Sequence, residues 1–272
     1  MIKKATGANY PAVSDRIIKE SKIPLPPLME QKRIVTILDK ADSIRSKRKL
    51  AIELADEFLR AVFLDMFGDP VTNPKGWKMT PLGAHGEFKN GLNYGREESG
   101  NRISCLGVGD FKSLHTIRGI SSLGYIELKT LPTEEYLLKN GDLIFVRSNG
   151  NPALVGRCIT AYPEDEHVTF SGFCIRYRLK TNDIQSEYLN YLFRAPSMKE
   201  MMLKIGQGAN IQNINQTILS SLSIPCPPLT TQNKFSGLVS SFRKSLFRFE
   251  QSHEISETLF RSISQRAFSD EL

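Results

Sequence analysis

The chain has 272 residues, 40% of them hydrophobic and 24% charged, with a mean hydropathy of -0.27. That composition supports at least one sizeable core and excludes a collagenous, disordered or disulfide-stapled chain. Lys and Arg number 36 against 29 Asp and Glu, so a net charge of +7 is compatible with an anionic partner. The four cysteines, Cys105, Cys158, Cys174 and Cys226, lie far apart without a CxxC pair, which argues against a zinc ribbon or a redox pair. A polar start and the lack of a run of about 18 apolar residues point to a cytoplasmic protein without membrane association.

The first 29 residues return near the other end of the chain. Gly7-Ala8-Asn9 reappears as Gly208-Ala209-Asn210, and the segments that follow align without a gap at an offset of 201 residues. Ile23-Pro24-Leu25-Pro26-Pro27-Leu28 matches Ile224-Pro225-Cys226-Pro227-Pro228-Leu229, Gln31 matches Gln232, and 14 of 63 aligned positions are identical. Each copy has a strand-like apolar piece, a Pro pair that interrupts regular structure, and a long amphipathic stretch.

In the first copy the spacing predicts a helix over 30–68, with Ile34, Leu38, Ala41, Ile52, Ala55, Leu59 and Val62 facing a partner. Gly68-Asp69-Pro70 ends it. The run from Arg45 to Lys49 is the densest basic cluster, readable as a solvated helix face or as phosphate contacts.

Between 69 and 229 the period switches to two. Residues 142–147 and 154–161 read as strands, and 167–179 as a strand or a bent pair of strands. Residues 186–193 and 197–205 read as helices separated at Ala195-Pro196. The block is expected to be an α+β domain built on irregular, partly barrel-like sheet.

Three segments of it concentrate side chains suited to base edges, Arg or Lys toward guanine and Asn or Gln toward adenine. They hold Lys89, Asn93, Tyr94 and Arg96; Arg147, Ser148 and Asn149; and Gln207, Asn210, Gln212 and Asn213. The Asn-Gly and Asn-Pro pairs in them also suit plain turns. Lys112, Arg118, Lys129 and Arg157 are candidates for phosphate contact or ordinary surface cations.

The second long helix is predicted over 230–272, its stripe made by Phe235, Val239, Phe242, Leu246, Phe249, Phe260 and Ile263. Antiparallel pairing of the two stripes sets Ala41 opposite Phe260, Ala55 opposite Leu246 and Ala267 opposite Ile34. Arg45 then falls opposite Ser256, and Arg48 opposite His253. Small residues meet large ones, so an antiparallel coiled coil of about 50 Å is expected, within one chain or between chains.

Several motifs stand together in order along the chain. They are Ile23-Pro24-Leu25-Pro26-Pro27-Leu28 with Glu30-Gln31-Lys32-Arg33-Ile34-Val35, and Gly76-Trp77 with Pro81-Leu82-Gly83. Gly141-Asp142-Leu143-Ile144-Phe145 with Arg147-Ser148, and Gln265-Arg266-Ala267-Phe268-Ser269, complete the set. Taken together they resemble the specificity subunit of Type I restriction-modification enzymes over nearly the whole chain.

The resemblance implies a target-recognition domain over 69–229, flanked by conserved helices over 30–68 and 230–272, with 1–29 a remnant of the end of a preceding recognition domain. It implies a half subunit, acting as a homodimer or with another half specificity subunit, that reads a bipartite site on double-stranded DNA. A homodimer would read a palindromic site. It further implies that this chain catalyses nothing and holds no cofactor. Methyl transfer from S-adenosylmethionine then belongs to modification (methyltransferase) subunits, and ATP- and Mg-dependent cleavage to a restriction subunit.

Rival readings find less in the sequence. Neither Asn73-Pro74-Lys75 nor Asn151-Pro152-Ala153 is the Asn/Asp-Pro-Pro-Tyr/Phe motif of an adenine methyltransferase, and there is no P-loop. Asp110 with Glu127-Leu128-Lys129 loosely fits a metal-dependent nuclease, a spacing that arises often by chance. No metal-ligand set is expected. A stand-alone DNA-binding or structural module is the second reading.

Overall fold

The computed structural model describes residues 14–21, 25–95, 99–112, 115–205 and 213–267. Along the chain run α1 (Asp15–Glu20), α2 (Leu28–Phe67), β1 (Met79–Pro81), β2 (Gly86–Asn90), β3 (Asn101–Leu106), β4 (Thr116–Arg118), β5 (Gly124–Leu128) and β6 (Asp142–Val146). There follow β7 (Cys158–Tyr162), β8 (Val168–Phe170), β9 (Cys174–Leu179), α3 (Ser186–Arg194), α4 (Pro196–Ile205), α5 (Gln216–Ser221), β10 (Ser223–Pro225) and α6 (Leu229–Ala267). The fold is α+β, with two long helices. It divides into two compact units, Met1–Ala55 with Lys244–Leu272, and Asp56–Arg243.

The larger unit is built on a five-stranded sheet in the order β2-β9-β6-β7-β4, a three-stranded sheet β5-β3-β8, and the β1-β10 pair. Every residue of β6 is buried, which suits a strand with neighbours on both sides and cover on both faces. The expected element over 167–179 is a bent pair: β8 pairs with β3, β9 joins the other sheet, and the chain turns between them. The expected strand over 154–161 begins only at Cys158. Residues 152–156 form turns instead, with Gly156 at φ +76° and Val155 N–H bonded to the Pro152 carbonyl.

Local chemistry explains two of the motifs. Gly68, at φ +78°, ends α2 with its N–H on the Leu64 carbonyl, and Trp77 Nε1–H caps the Phe67 carbonyl at 2.8 Å. The buried Asp142 carboxylate binds the Arg178 guanidinium through two hydrogen bonds, 2.8 and 2.7 Å long.

The core of this unit is closed by helix ends. Leu59, Phe63 and Phe67 of α2 are buried with Tyr188 and Tyr191 of α3 and with Phe235 and Val239 of α6. Arg194 clamps Asp56 through both carboxylate oxygens at 2.5 and 2.7 Å. The unit therefore reaches further into both helices than the expected limits at 69 and 229.

Within it, Phe58 stacks on Phe242 at 5.0 Å and Phe63 meets Phe235 edge-on at 5.5 Å. Numbers rise on one helix as they fall on the other, so the pairing is antiparallel. In the smaller unit the Arg45 guanidinium lies 4.7 Å over the Phe260 ring, where Ala41 was expected. Helical side chains lean toward their own N-terminus, so the long Arg45 side chain reaches back about one turn to cover that ring.

Of the expected interface residues, Ile34, Ala55, Leu59, Phe235 and Val239 are buried, while Leu38, Ala41, Val62, Phe242, Phe260 and Ile263 are half-buried. The side chains of Ile52, Leu246, Phe249, His253, Ser256 and Ala267 lie outside the described set. Cysteines at 41 and 260 are expected to form a disulfide under mild oxidation, seen as a mobility shift on non-reducing gels. No cross-link would overturn this register.

The repeat is visible in three dimensions. α1 and α5 are both six residues long and start 201 residues apart. Ser14 caps the first by accepting from Ile17 N–H, and Asn215 caps the second by accepting from Ile218 N–H. Gln31 Nε2 donates to the Pro26 carbonyl at 2.7 Å, and Gln232 Nε2 to the Pro227 carbonyl at 2.8 Å. The copies differ in cover: Ile18 is 52% exposed, whereas its counterpart Leu219 is fully buried.

Candidate nucleic-acid interface

Backbone bonds draw the described parts of the three polar segments together. Leu92 bridges to Ser171, its N–H on the Phe170 carbonyl at 2.8 Å, and Gly172 N–H returns to the Leu92 carbonyl at 2.7 Å. Arg147 N–H donates to the Phe173 carbonyl at 2.8 Å, Ile214 N–H donates to the Arg147 carbonyl at 2.9 Å, and Ser148 bridges to Asn213. The fit is close. A Cβ on Gly91 would collide with the Ser171 carbonyl, and one on Gly172 with the Asn93 carboxamide oxygen.

The individual side chains differ in what they leave available. Arg147 is half-buried, and among the described residues its guanidinium has no hydrogen-bond or ion-pair partner. Asn149 Oδ1 accepts from Asn151 N–H at 2.8 Å, an Asx turn that leaves its amide hydrogens for other partners. Tyr94 stands partly exposed with its hydroxyl 4.0 Å from Cys105 Sγ, and burial raises its pKa. Asn93 packs against the 171–174 turn, and Asn213 is exposed. Arg96, Gln207, Asn210 and Gln212 lie outside the described residues.

Several of the other expected cations are occupied by the protein itself, whereas Lys112 and Lys129 are exposed. Lys89 pairs with Glu135 at 2.8 Å and sits 4.6 Å over the Tyr136 ring; the hydrogen bond it donates to Glu135 raises its pKa. Arg157 donates to the Phe111 carbonyl at 2.7 Å, and Arg118 lies 4.5 Å over Tyr162. Arg45, in the basic helical cluster, also pairs with Asp42 at 2.6 Å. Phe173, which the periodicity of 167–179 does not single out, is 61% exposed in the turn that meets Arg147.

Asp110 uses its carboxylate to accept Gly107 N–H at 2.8 Å, and Glu127 faces Arg102 across the β3–β5 pair. Among the described residues the grouping of three potential ligands is His85, Asp183 and Cys226, whose ligand atoms lie within 4.8 Å of one another. His85 there bridges Thr80 Oγ1 at 2.7 Å and Asp183 Oδ1 at 3.1 Å, and so ties β1 to the segment before α3. None of the described helices is long and apolar enough to cross a membrane.

Comparison with known proteins places this geometry in a family. The chain is 30% identical over 241 residues to the Type I restriction enzyme StySPI specificity subunit of Salmonella potsdam, covering 84% of this chain and 52% of that protein. It is 25% identical over 243 residues to the EcoKI specificity subunit of Escherichia coli K12, again covering 84% and 52%. It thus spans about half the length of these curated relatives.

Among solved structures, the Type I restriction-modification S subunit from M. genitalium shares the fold. Its TM-score is 0.58 at 16% identity, over 97% of this chain and 67% of that one. A chain from a structural study of complex assembly and conformational transition in the type I R-M system gives 0.57 at 21%, over 98% and 66%. The family model described as Type I restriction modification DNA specificity domain matches residues 1–54 and 74–257, and the chain belongs to that family.

Proposed function

We propose that this chain is the DNA sequence-specificity component of a Type I restriction-modification complex and reads one half of a bipartite double-stranded site. The observation that carries the reading is the convergence of 91–93, 147–149, 171–174 and 213 on one set of backbone bonds, with Arg147 among them and its guanidinium without a partner among the described residues. Arg147 suits guanine and Asn149 suits adenine, while backbone clamping fixes both on rigid sheet ends. In this reading 69–229 is the target-recognition domain, and the conserved helices at 30–68 and 230–272 carry the modification and restriction subunits. This chain is non-catalytic and works in the cytoplasm. S-adenosylmethionine, ATP and Mg are handled by those partner subunits.

Residues 1–29 correspond to the end of a recognition domain, as 208–229 do. The exposure of Ile18, where Leu219 is buried, supports this: the same helix has lost its cover in one copy. A second copy of this chain, or another half specificity subunit, supplies the second half-site reader.

The test is co-expression with the modification subunit, followed by genome-wide mapping of methylated adenine. A stable complex that methylates one bipartite motif is expected, palindromic for a homodimer. Arg147→Ala with Asn149→Ala should change the preferred bases in the half that this chain reads, and in both halves for a homodimer. A chain that never associates and never directs methylation leaves the stand-alone binding module as the better reading.

A further inference from the structure

The turn over 171–174 is fixed at every side. Cys174 N–H donates to the Ser171 carbonyl at 2.8 Å, Phe173 N–H reaches Ser171 Oγ at 3.4 Å, and the Phe173 carbonyl receives Arg147 N–H. The turn joins β8 to β9, strands of different sheets, so its position is set from two directions. Phe173 is nevertheless the exposed ring, while its neighbours in the same run, Phe170 and Cys174, are fully buried.

Leaving a phenyl ring in water forgoes the gain that burial would give, and a rigid backbone prevents it from folding back. A ring held outward beside Arg147, whose guanidinium has no partner among the described residues, is placed for apolar contact with a base edge. The major groove offers one such apolar feature, the thymine 5-methyl group.

We infer that Phe173 is an apolar base-reading residue of the interface, contacting a thymine methyl group in the half-site next to the base pair met by Arg147. The inference rests on the recognition reading above and adds a residue and a chemical feature of the DNA to it.

The full chain, co-purified with its modification subunits, is titrated with its mapped site and with non-specific duplex. Phe173→Ala is expected to weaken specific binding about tenfold and leave non-specific binding unchanged. Phe173→Leu, which keeps apolar contact, should recover most of the loss. Both variants should melt like the parent, because the ring is mostly outside the core.

Replacing thymines of the half-site by deoxyuridine, one at a time, should reproduce the loss at one position. Phe173→Ala should be insensitive to that replacement. Unchanged binding by Phe173→Ala, equal losses on both duplexes, or additive losses with deoxyuridine would overturn the inference. A parent complex without sequence preference overturns the recognition reading itself, and this inference with it.

Discussion

Replacing Phe63 with alanine is expected to cost about 4 kcal/mol of folding free energy, the range for emptying an aromatic site in a close-packed core. Its ring is buried and lies 5.0 Å from Phe67, 5.6 Å from Tyr188, 6.2 Å from Tyr191 and 5.5 Å from Phe235, so one truncation loosens α2, α3 and α6 together. Aromatic pairs add to the burial term, which keeps the expected loss at the upper side of that range. Phe58→Ala, at a ring that is 50% exposed, should cost about 1 kcal/mol, in line with its partial burial. Urea titration of both variants checks this. Equal losses at the two positions would mean that the helix ends are not the keystone of the unit.

Mild acid is expected to destabilise the same region. Burial, and then the charge of Arg194, push the His115 pKa down to about 4, with Arg60 and Arg157 adding to the effect and Asp56 opposing it. An ordinary histidine takes up its proton near 6.5, so below that pH the unfolded chain binds a proton that the folded chain refuses. Stability from this group is therefore complete above about pH 6.5 and is lost as pH falls toward 4, by up to about 3 kcal/mol.

Asp56 extends the loss further. Burial raises its pKa, but the charge and hydrogen bond of Arg194 outweigh that and lower it overall. The ion pair therefore fails only at pH values below the ordinary aspartate range. Equilibrium unfolding from pH 7 to 4 should show the slope, and His115→Asn should flatten it. A parent protein equally stable at both ends would refute the assignment.

How much of this was legible in the sequence follows from what kind of signal each part leaves. The long helices were readable because the repeat prints their start twice, through the Pro pair and Gln31 or Gln232, and because Gly68 marks the end of α2. Strands β6 and β9 were readable as apolar runs. β2 and β5 were not, since Gly86-Glu87-Phe88-Lys89-Asn90 and Gly124-Tyr125-Ile126-Glu127-Leu128 are short, half-exposed and mixed with charge.

Clusters of Asn, Gly and Arg pointed to segments whose described parts the fold brings together, but residue type alone did not say which cations the protein keeps for itself. Lys89 and Arg157 look like free surface charges until Glu135 and the Phe111 carbonyl are seen beside them. Arg176, Arg178 and Arg194 likewise serve internal bonds, so part of the +7 never faces a partner. Phe173 was hidden because a phenylalanine inside 167–179 reads as strand interior. Only the division of β8 and β9 between two sheets turns it outward.

The bond from each glutamine to the first proline carbonyl, Gln31 to Pro26 and Gln232 to Pro227, is made within six consecutive residues. Each long helix therefore carries its own starting bond, to which Gln232 adds bonds with Gln185 N–H and the Asp183 carbonyl. A foreign domain spliced in upstream of that joint would inherit the same first turn and the same helical phase. The phase of each helix is thus set inside the joint between its Pro pair and its glutamine.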